Sequence, residues 1–261
     1  MDIFQALLLG MVQGLTELLP ISSSAHLFLI PWAFNWEVPE WFDVALHFGT
    51  LLAITLFFFK DWMALIKGAI KSAKGEKNTE GRMFWYIVLA TIPGGIIGFL
   101  LDHYAQDLLT NPIIIASVLI IMGIILYLAD KYSKTETKYE DMSLKQTFLI
   151  GLSQALAFIP GVSRSGVTMT AGRMLGVARE SVAKYSFMLS APIVLGATLY
   201  KLKDFVFNLP CIIGVLTSFI VGILVIKFLL DYLKKGSFKV FAIYRIILGI
   251  IVLIMATTIM C

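Results

Sequence analysis

The strongest constraint on this chain is a succession of uncharged stretches, each close to the length that a bilayer demands. The stretches 44–59, 83–101, 113–129, 185–200, 205–226 and 240–261 carry no Asp, Glu, Lys or Arg except Arg245 in the last, and 44–59 carries His47. A transmembrane helix needs roughly 17–25 residues, so all six fit with a residue or two added at either end. The chain is 59% hydrophobic and only 15% charged, against about 25% charged in an ordinary soluble domain. The expected fold class is an all-α polytopic membrane protein forming one integral membrane domain over residues 1–261. The excess of 21 basic over 17 acidic residues does not point to nucleic acid, because the lysines and arginines cluster in short loops between apolar runs. Membrane orientation accounts for such loop charges. Cys211 and Cys261 have no metal-ligand spacing and imply no disulfide framework. Asp2 and Ile3 stand where a cleavable signal peptide carries its basic residues.

Two further apolar segments are broken. Residues 3–16 run into Glu17, Pro20 and three serines, and residues 146–163 run through Pro160 and Gly161 to Arg164. They resemble one another: Leu9-Gly10-Met11-Val12-Gln13-Gly14-Leu15 parallels Ile150-Gly151-Leu152-Ser153-Gln154-Ala155-Leu156, 141 residues later. The proline and serines that follow match with a slip of one residue, and Phe99–Asp102 parallels Phe228–Asp231. The chain therefore reads as two halves, about 1–140 and 141–261, each with one broken segment and three full spans. If the broken segments are re-entrant hairpins, an odd number of spans makes the second half enter from the opposite side. The expectation is an inverted-topology repeat of six transmembrane helices and two re-entrant helical hairpins, an arrangement common in transporters.

Loop charges set the orientation. Lys60, Lys67, Lys71, Lys74, Lys77 and Arg82 share a side with Lys131, Lys134, Lys138, Lys145, Arg173, Arg179, Lys184, Lys234, Lys235 and Lys239. The other side holds Glu37, Glu40, Asp102 and Asp107, with Lys201 and Lys203 as its basic residues. The basic side is expected to be cytoplasmic, with the termini and the first hairpin's mouth outward and Trp32, Trp36 and Trp41 as interfacial anchors.

An ionisable group at membrane depth is a functional candidate by default. Glu17, His26 and Arg164 occupy the broken segments. Gln13 and Glu17 share a helix face at a spacing of four, Pro20 ends that helix, and Ser22, Ser23 and Ser24 suit the start of the next. In Pro160-Gly161-Val162-Ser163-Arg164-Ser165-Gly166-Val167-Thr168, the glycines permit close backbone approach. A helix start lined by serines and N–H groups attracts anions, and the Arg164 fork suits phosphate oxygens. Glu17 makes sense there as a metal ligand, a proton carrier or a base. Simpler roles compete: a structural Glu17–Arg164 pair, serines that only cap helices, and a His26 that only completes a helix. His47, on a full span with no charged partner nearby in sequence, reads as structural, and His103 as a solvated loop residue. Gly94-Gly95 after Pro93 reads as a kink or packing site, while Arg245 either snorkels or pairs inside the bundle.

Gln13-Gly-Leu-Thr-Glu17 with Pro20-Ile-Ser22-Ser23-Ser-Ala-His26, followed by the Pro160–Thr168 segment, resembles the undecaprenyl-diphosphate phosphatases of the bacitracin-resistance type. The resemblance spans nearly the whole chain. It implies removal of the terminal phosphate from a polyprenyl diphosphate, giving the monophosphate carrier lipid for cell-wall synthesis. It implies six spans with two re-entrant hairpins, an outward-opening pocket in the cell membrane, and support from a divalent cation, Mg or Ca. By motif position Glu17, Ser23, His26 and Arg164 are the catalytic candidates. Gln13, Ser22, Gly161, Ser163, Ser165, Gly166 and Thr168 join Arg164 in binding substrate, with Glu17 as the metal ligand. Many members carry glutamate where this chain has Gln13, so a two-carboxylate metal site is not expected here. The expected partners are the lipid substrate and membrane lipids, with a homodimer kept as an option.

The mechanism expected from these residues has Arg164 and the N–H groups of residues 163–166 hold phosphate oxygens while Ser23, a water or His26 attacks phosphorus. The competing expectation is a carrier or flippase that moves a polyprenyl phosphate with the same anion pocket; such a protein needs no nucleophile or base.

Overall fold

The computed structural model describes residues 1–101 and 111–259, so the expectations for Asp102, His103, Asp107 and Cys261 fall outside the described residues. It is built from α-helices: α1 (Ile3–Thr16), α2 (Ser23–Phe34), α3 (Glu40–Phe57), α4 (Phe59–Ala73), α5 (Thr79–Leu101), α6 (Pro112–Tyr132), α7 (Leu144–Ser153), α8 (Arg164–Met174), α9 (Arg179–Lys201), α10 (Leu209–Leu233) and α11 (Lys239–Ile259). Six of them, α3, α5, α6, α9, α10 and α11, are long and apolar enough to cross a membrane. They coincide with the six uncharged stretches. The distribution of polarity is that of a protein dissolved in lipid. Ile121, Leu216, Ile220, Leu224, Ile247 and Ile254 are exposed, while Gln13, Glu17, Ser22, His26, Thr168 and Arg245 are buried.

Segment 59–73 departs from expectation. The lysine-rich stretch after the first span is helical rather than a plain loop. Asp61 in its first turn and Lys71 in its last complement the helix dipole. Leu65, Gly68 and Ala69 form a narrow buried stripe, leaving Phe59, Ile66 and Ile70 exposed. Arg173 also differs from its reading as a loop charge. It is 1% exposed, and its Nε donates to Asp130 at 2.9 Å. Asp130 accepts as well from Arg179 Nε and the Phe238 N–H. Arg173 is thus a structural tie between α6 and α8 rather than a free charge at the membrane surface.

The paired short helices position the site. At 1.5 Å per residue, α1 and α7 are about 21 and 15 Å long, short of the roughly 30 Å hydrocarbon core. Aspartate and serine capping boxes start them, Asp2 with Gln5 and Ser143 with Gln146. Each is fitted to a long helix by a glycine. A Cβ on Gly10 would stand 2.6 Å from the Gly214 carbonyl of α10, and one on Gly151 would collide with Ala90 of α5. Small residues of this kind let membrane helices approach closely. Gly10 and Gly151 are 141 residues apart, the spacing seen in the sequence.

Beyond α1 and α7 the chain turns at two matching elbows. Ser22 and Ser163 both adopt left-handed backbone, with φ of 76° and 72°. Each caps the next helix, Ser22 Oγ accepting from the Ala25 N–H and Ser163 Oγ from the Gly166 N–H. Each also contacts the hydroxyl two residues on, Ser24 or Ser165, at 3.2 Å. The serines therefore match at the same spacing of 141, and the one-residue slip is confined to the prolines. A non-glycine residue in this region costs about 1–3 kcal/mol and persists only where its surroundings hold it.

Candidate active site

The elbows bring Ser23 and Arg164, the first residues of α2 and α8, to the same carboxylate. Glu17 closes α1 as its C-terminal cap. Its Oε1 pairs with Arg164 Nη2. Its Oε2 accepts from Ser23 Oγ at 2.5 Å and from Gln13 Nε2 at 3.3 Å. His47 Nε2 lies 3.3 Å from the same oxygen. The convergence of Glu17 and Arg164, 147 residues apart, required both broken segments to meet, and they do.

His47 is the residue that sequence reasoning missed. Its Nδ1 lies 2.7 Å from the Asp43 carbonyl, which can only accept, so Nδ1 carries a proton. The contact of Nε2 with an ionised Glu17 is then attractive only if Nε2 carries a proton too. Thr50, one turn along α3, receives the second amide contact of Gln13 at 3.5 Å. Thus α3 supplies two groups that no motif announces.

His26 occupies a different place. Its Nδ1 donates to the Ser22 carbonyl and its Nε2 accepts from the Tyr244 hydroxyl, both at 2.7 Å. Both nitrogens are engaged away from Glu17, in a link between α2 and α11. Ser22 caps α2, and Ser165 Oγ donates to the Leu19 carbonyl, joining the second elbow to the first. Thr168 Oγ1 donates to the Arg164 carbonyl and contacts Ser186 Oγ at 2.7 Å. Gly161 has φ of 87° at the turn. The Gly166 N–H is taken by the Ser163 cap, which leaves the N–H groups of Arg164 and Ser165 as the first-turn donors without intrahelical partners.

Glu17, Ser23, His47, Ser163 and Arg164 line a cavity of about 270 Å³ whose other walls include Gly94, Gln154 and Thr198. Among the described residues, three buried polar atoms there lack a protein partner: Arg164 Nη1, Gln154 Oε1 and Thr198 Oγ1. An unpaired buried guanidinium nitrogen is costly, and a phosphate oxygen would satisfy it. A second, apolar cavity shares Val44, Gly94, Phe158, Ile193 and Ala197 with the first and continues to Gly196, Tyr200 and Lys201. The cavity lined by Glu17, Ser23, His47 and Arg164 thus adjoins one lined mainly by apolar residues of α5 and α9.

The donor set does not build a cation site from protein alone. Among the described residues no group of three or more His, Cys, Asp or Glu could hold a metal. Both Glu17 oxygens are already engaged, one of them by a guanidinium.

These features define a class: polytopic all-α membrane proteins with a buried carboxylate, hydroxyl and guanidinium converging at two helix starts. Residues 6–251 match the family described as Bacitracin resistance protein BacA, and the chain belongs to that family. It is 51% identical over 260 residues to an undecaprenyl-diphosphatase of Pelotomaculum thermopropionicum, covering 98% of this chain and 97% of that one. It is 46% identical to undecaprenyl-diphosphatases of Desulforudis audaxviator, covering 98% of both chains, and of Moorella thermoacetica, covering 97% of both.

Proposed function

We propose that this chain is an integral membrane phosphatase that removes the terminal phosphate of undecaprenyl diphosphate. The observation that carries the proposal is the convergence of Ser23 Oγ and Arg164 on Glu17 inside a cavity that also holds the unpaired Arg164 Nη1. The diphosphate occupies this cavity and the polyprenyl tail lies in the adjoining apolar cavity between α5 and α9. The paired short helices act as re-entrant hairpins. The apolar cavity runs along the C-terminal part of α9, opposite the end that carries Arg179 and the Asp130 cluster. Together with the loop charges, this supports a pocket facing the outer side.

In the reaction, Ser23 Oγ attacks the terminal phosphorus and passes its proton to Glu17 Oε2. The bond from that phosphorus to the bridging oxygen breaks, and the polyprenyl monophosphate leaves. Glu17 passes the Ser23 proton to the departing monophosphate; water then attacks the phosphoserine and gives a proton to the freed Glu17, which returns it to Ser23 Oγ as the serine–phosphorus bond breaks and inorganic phosphate departs. Arg164 and the N–H groups at the start of α8 stabilise charge on the phosphoryl oxygens in both steps. His47 holds Glu17 in place and offsets its charge.

A divalent cation would be held mainly by the oxygens of the diphosphate, with Glu17 as the nearest protein carboxylate, and would supply further neutralisation of phosphate charge. The ligand-free protein is therefore expected to bind Mg more weakly than about 1 mM by calorimetry, while turnover follows the concentration of the Mg–diphosphate complex. Tight saturable binding to the free protein would reject this arrangement.

Detergent-purified protein with magnesium is expected to release phosphate from farnesyl diphosphate. Transport of a polyprenyl phosphate in vesicles with no phosphate release would instead establish the carrier. Arg164→Ala is expected to lose about 10²–10³-fold in kcat, the usual effect of deleting one preorganised donor. Arg164→Lys should recover little, because a point charge cannot pair Glu17 and span phosphate oxygens together. Activity of Arg164→Lys near wild type would show that charge alone suffices.

A further inference from the structure

Arg245, on α11, is fully buried in the protein interior. Among the described residues no carboxylate pairs with it. Its guanidinium instead binds three backbone carbonyls. Nη1 donates to Pro20 at 3.2 Å, and Nη2 donates to Gly161 at 2.7 Å and Val162 at 3.0 Å. Pro20 and Gly161 are equivalent positions in the two halves, 141 residues apart. One planar group thus holds the same carbonyl of both elbows. Ser23 lies three residues past one contact, and Arg164 three past the other. The fit is close: a Cβ on Gly166 would stand 2.6 Å from Nη1. The neighbouring Tyr244 reaches α2 through His26, so α11 grips the first elbow on two sides.

A buried cation without a counter-ion is a poor means of stabilising a fold, and a well-packed apolar side chain does as well or better. What an apolar residue cannot do is bind two elbows at once.

We propose that Arg245 is a positioning residue that sets the spacing between Ser23 and Arg164 by holding the Pro20 and Gly161 carbonyls together. It does not touch the reacting atoms and acts through the elbows. The proposal rests on the phosphatase reading of the site.

The test compares purified wild type, Arg245→Ala, Arg245→Lys, Arg164→Ala and the Arg164→Ala/Arg245→Ala double variant on farnesyl diphosphate with magnesium. A misplacement of about 1 Å can cost about 10²-fold, so Arg245→Ala should lower kcat by about that factor. KM should stay within about threefold, since no substrate contact is lost. Arg245→Lys keeps the charge without the fork and should lose about tenfold. In the Arg164→Ala background, Arg245→Ala should cost less than about twofold, because its effect passes through Arg164. Guanidinium ion should partly and saturably rescue Arg245→Ala, which a general folding defect does not predict. Near-normal kcat in a folded Arg245→Ala, a rise in KM alone, or independent multiplication in the double variant overturns the proposal. If Arg245→Ala does not fold, Arg245→Lys decides by kcat against KM. If neither folds, Arg245 is a folding residue and the proposal fails. Absence of phosphate release by the wild type is a different outcome: it removes the phosphatase reading and this proposal with it.

Discussion

In Ser23→Ala, phosphate release from farnesyl diphosphate is expected to fall by at least about 10³-fold, the scale on which deleting a nucleophile leaves only binding and electrostatic assistance. The expectation rests on where Ser23 stands. It is the first residue of α2, directly after the left-handed Ser22, and its Oγ lies 2.5 Å from Glu17 Oε2. That is the placement of a hydroxyl whose proton has a ready acceptor. The other serines of the motifs stand elsewhere: Ser22 caps α2, Ser24 contacts the Ser22 hydroxyl, Ser163 caps α8 and Ser165 holds the Leu19 carbonyl. Direct attack by water predicts a much smaller loss. Removing Oγ would then free Glu17 Oε2 for a water molecule in the same place, and the rate should hold within about tenfold. Acid quenching during turnover adds a second readout, since the covalent route leaves phosphate on Ser23 and the direct route leaves none.

The helices that cross lipid were legible because their signal is local and cumulative. An uncharged run such as 113–129 has no soluble alternative, and the structure extends it to Pro112–Tyr132. Prolines caused no misreading of the spans: Pro93 and Pro192 sit inside α5 and α9. The elbows were legible in outline, since proline, glycine and clustered serines mark a break. Their left-handed serines were not, because that backbone is imposed by packing rather than by residue type. Glu17, Ser23 and Arg164 stood out because each is chemically anomalous in an apolar setting. His47 did not, because its partner lies 30 residues away and on another helix. His26 shows the converse: it follows the serine motif closely, yet one helical turn carries its ring toward Tyr244 instead of Glu17. Arg245 stood out as a charge inside an apolar run but could not be placed, since carbonyl partners leave no trace in sequence.

Glu17→Gln is expected to separate catalysis from anion binding by moving them in opposite directions. The carboxylate accepts from Ser23, pairs with Arg164 and contacts His47. As the proton acceptor for Ser23 it should account for about 10²–10⁴-fold in rate, and glutamine cannot take the proton. The same carboxylate opposes a bound diphosphate, because it is the negative group nearest the phosphate site and holds one arm of Arg164. Its neutralisation should therefore free that arm and tighten inhibition by inorganic phosphate, by about tenfold if the change is worth about 1.4 kcal/mol. Breaking a buried pair from one side also destabilises by about 3–5 kcal/mol, because Arg164 is left uncompensated. Phosphate should then raise the unfolding midpoint of Glu17→Gln more than that of the wild type, since ligand that binds only the native state stabilises it in proportion to its affinity. If Glu17 were only a structural counter-ion, kcat per folded molecule would be preserved and saturating phosphate would restore the midpoint with no deficit in turnover. A lost rate with a strengthened phosphate complex is the pattern expected of a carboxylate that works as a base at a site that its own charge makes weaker for anions.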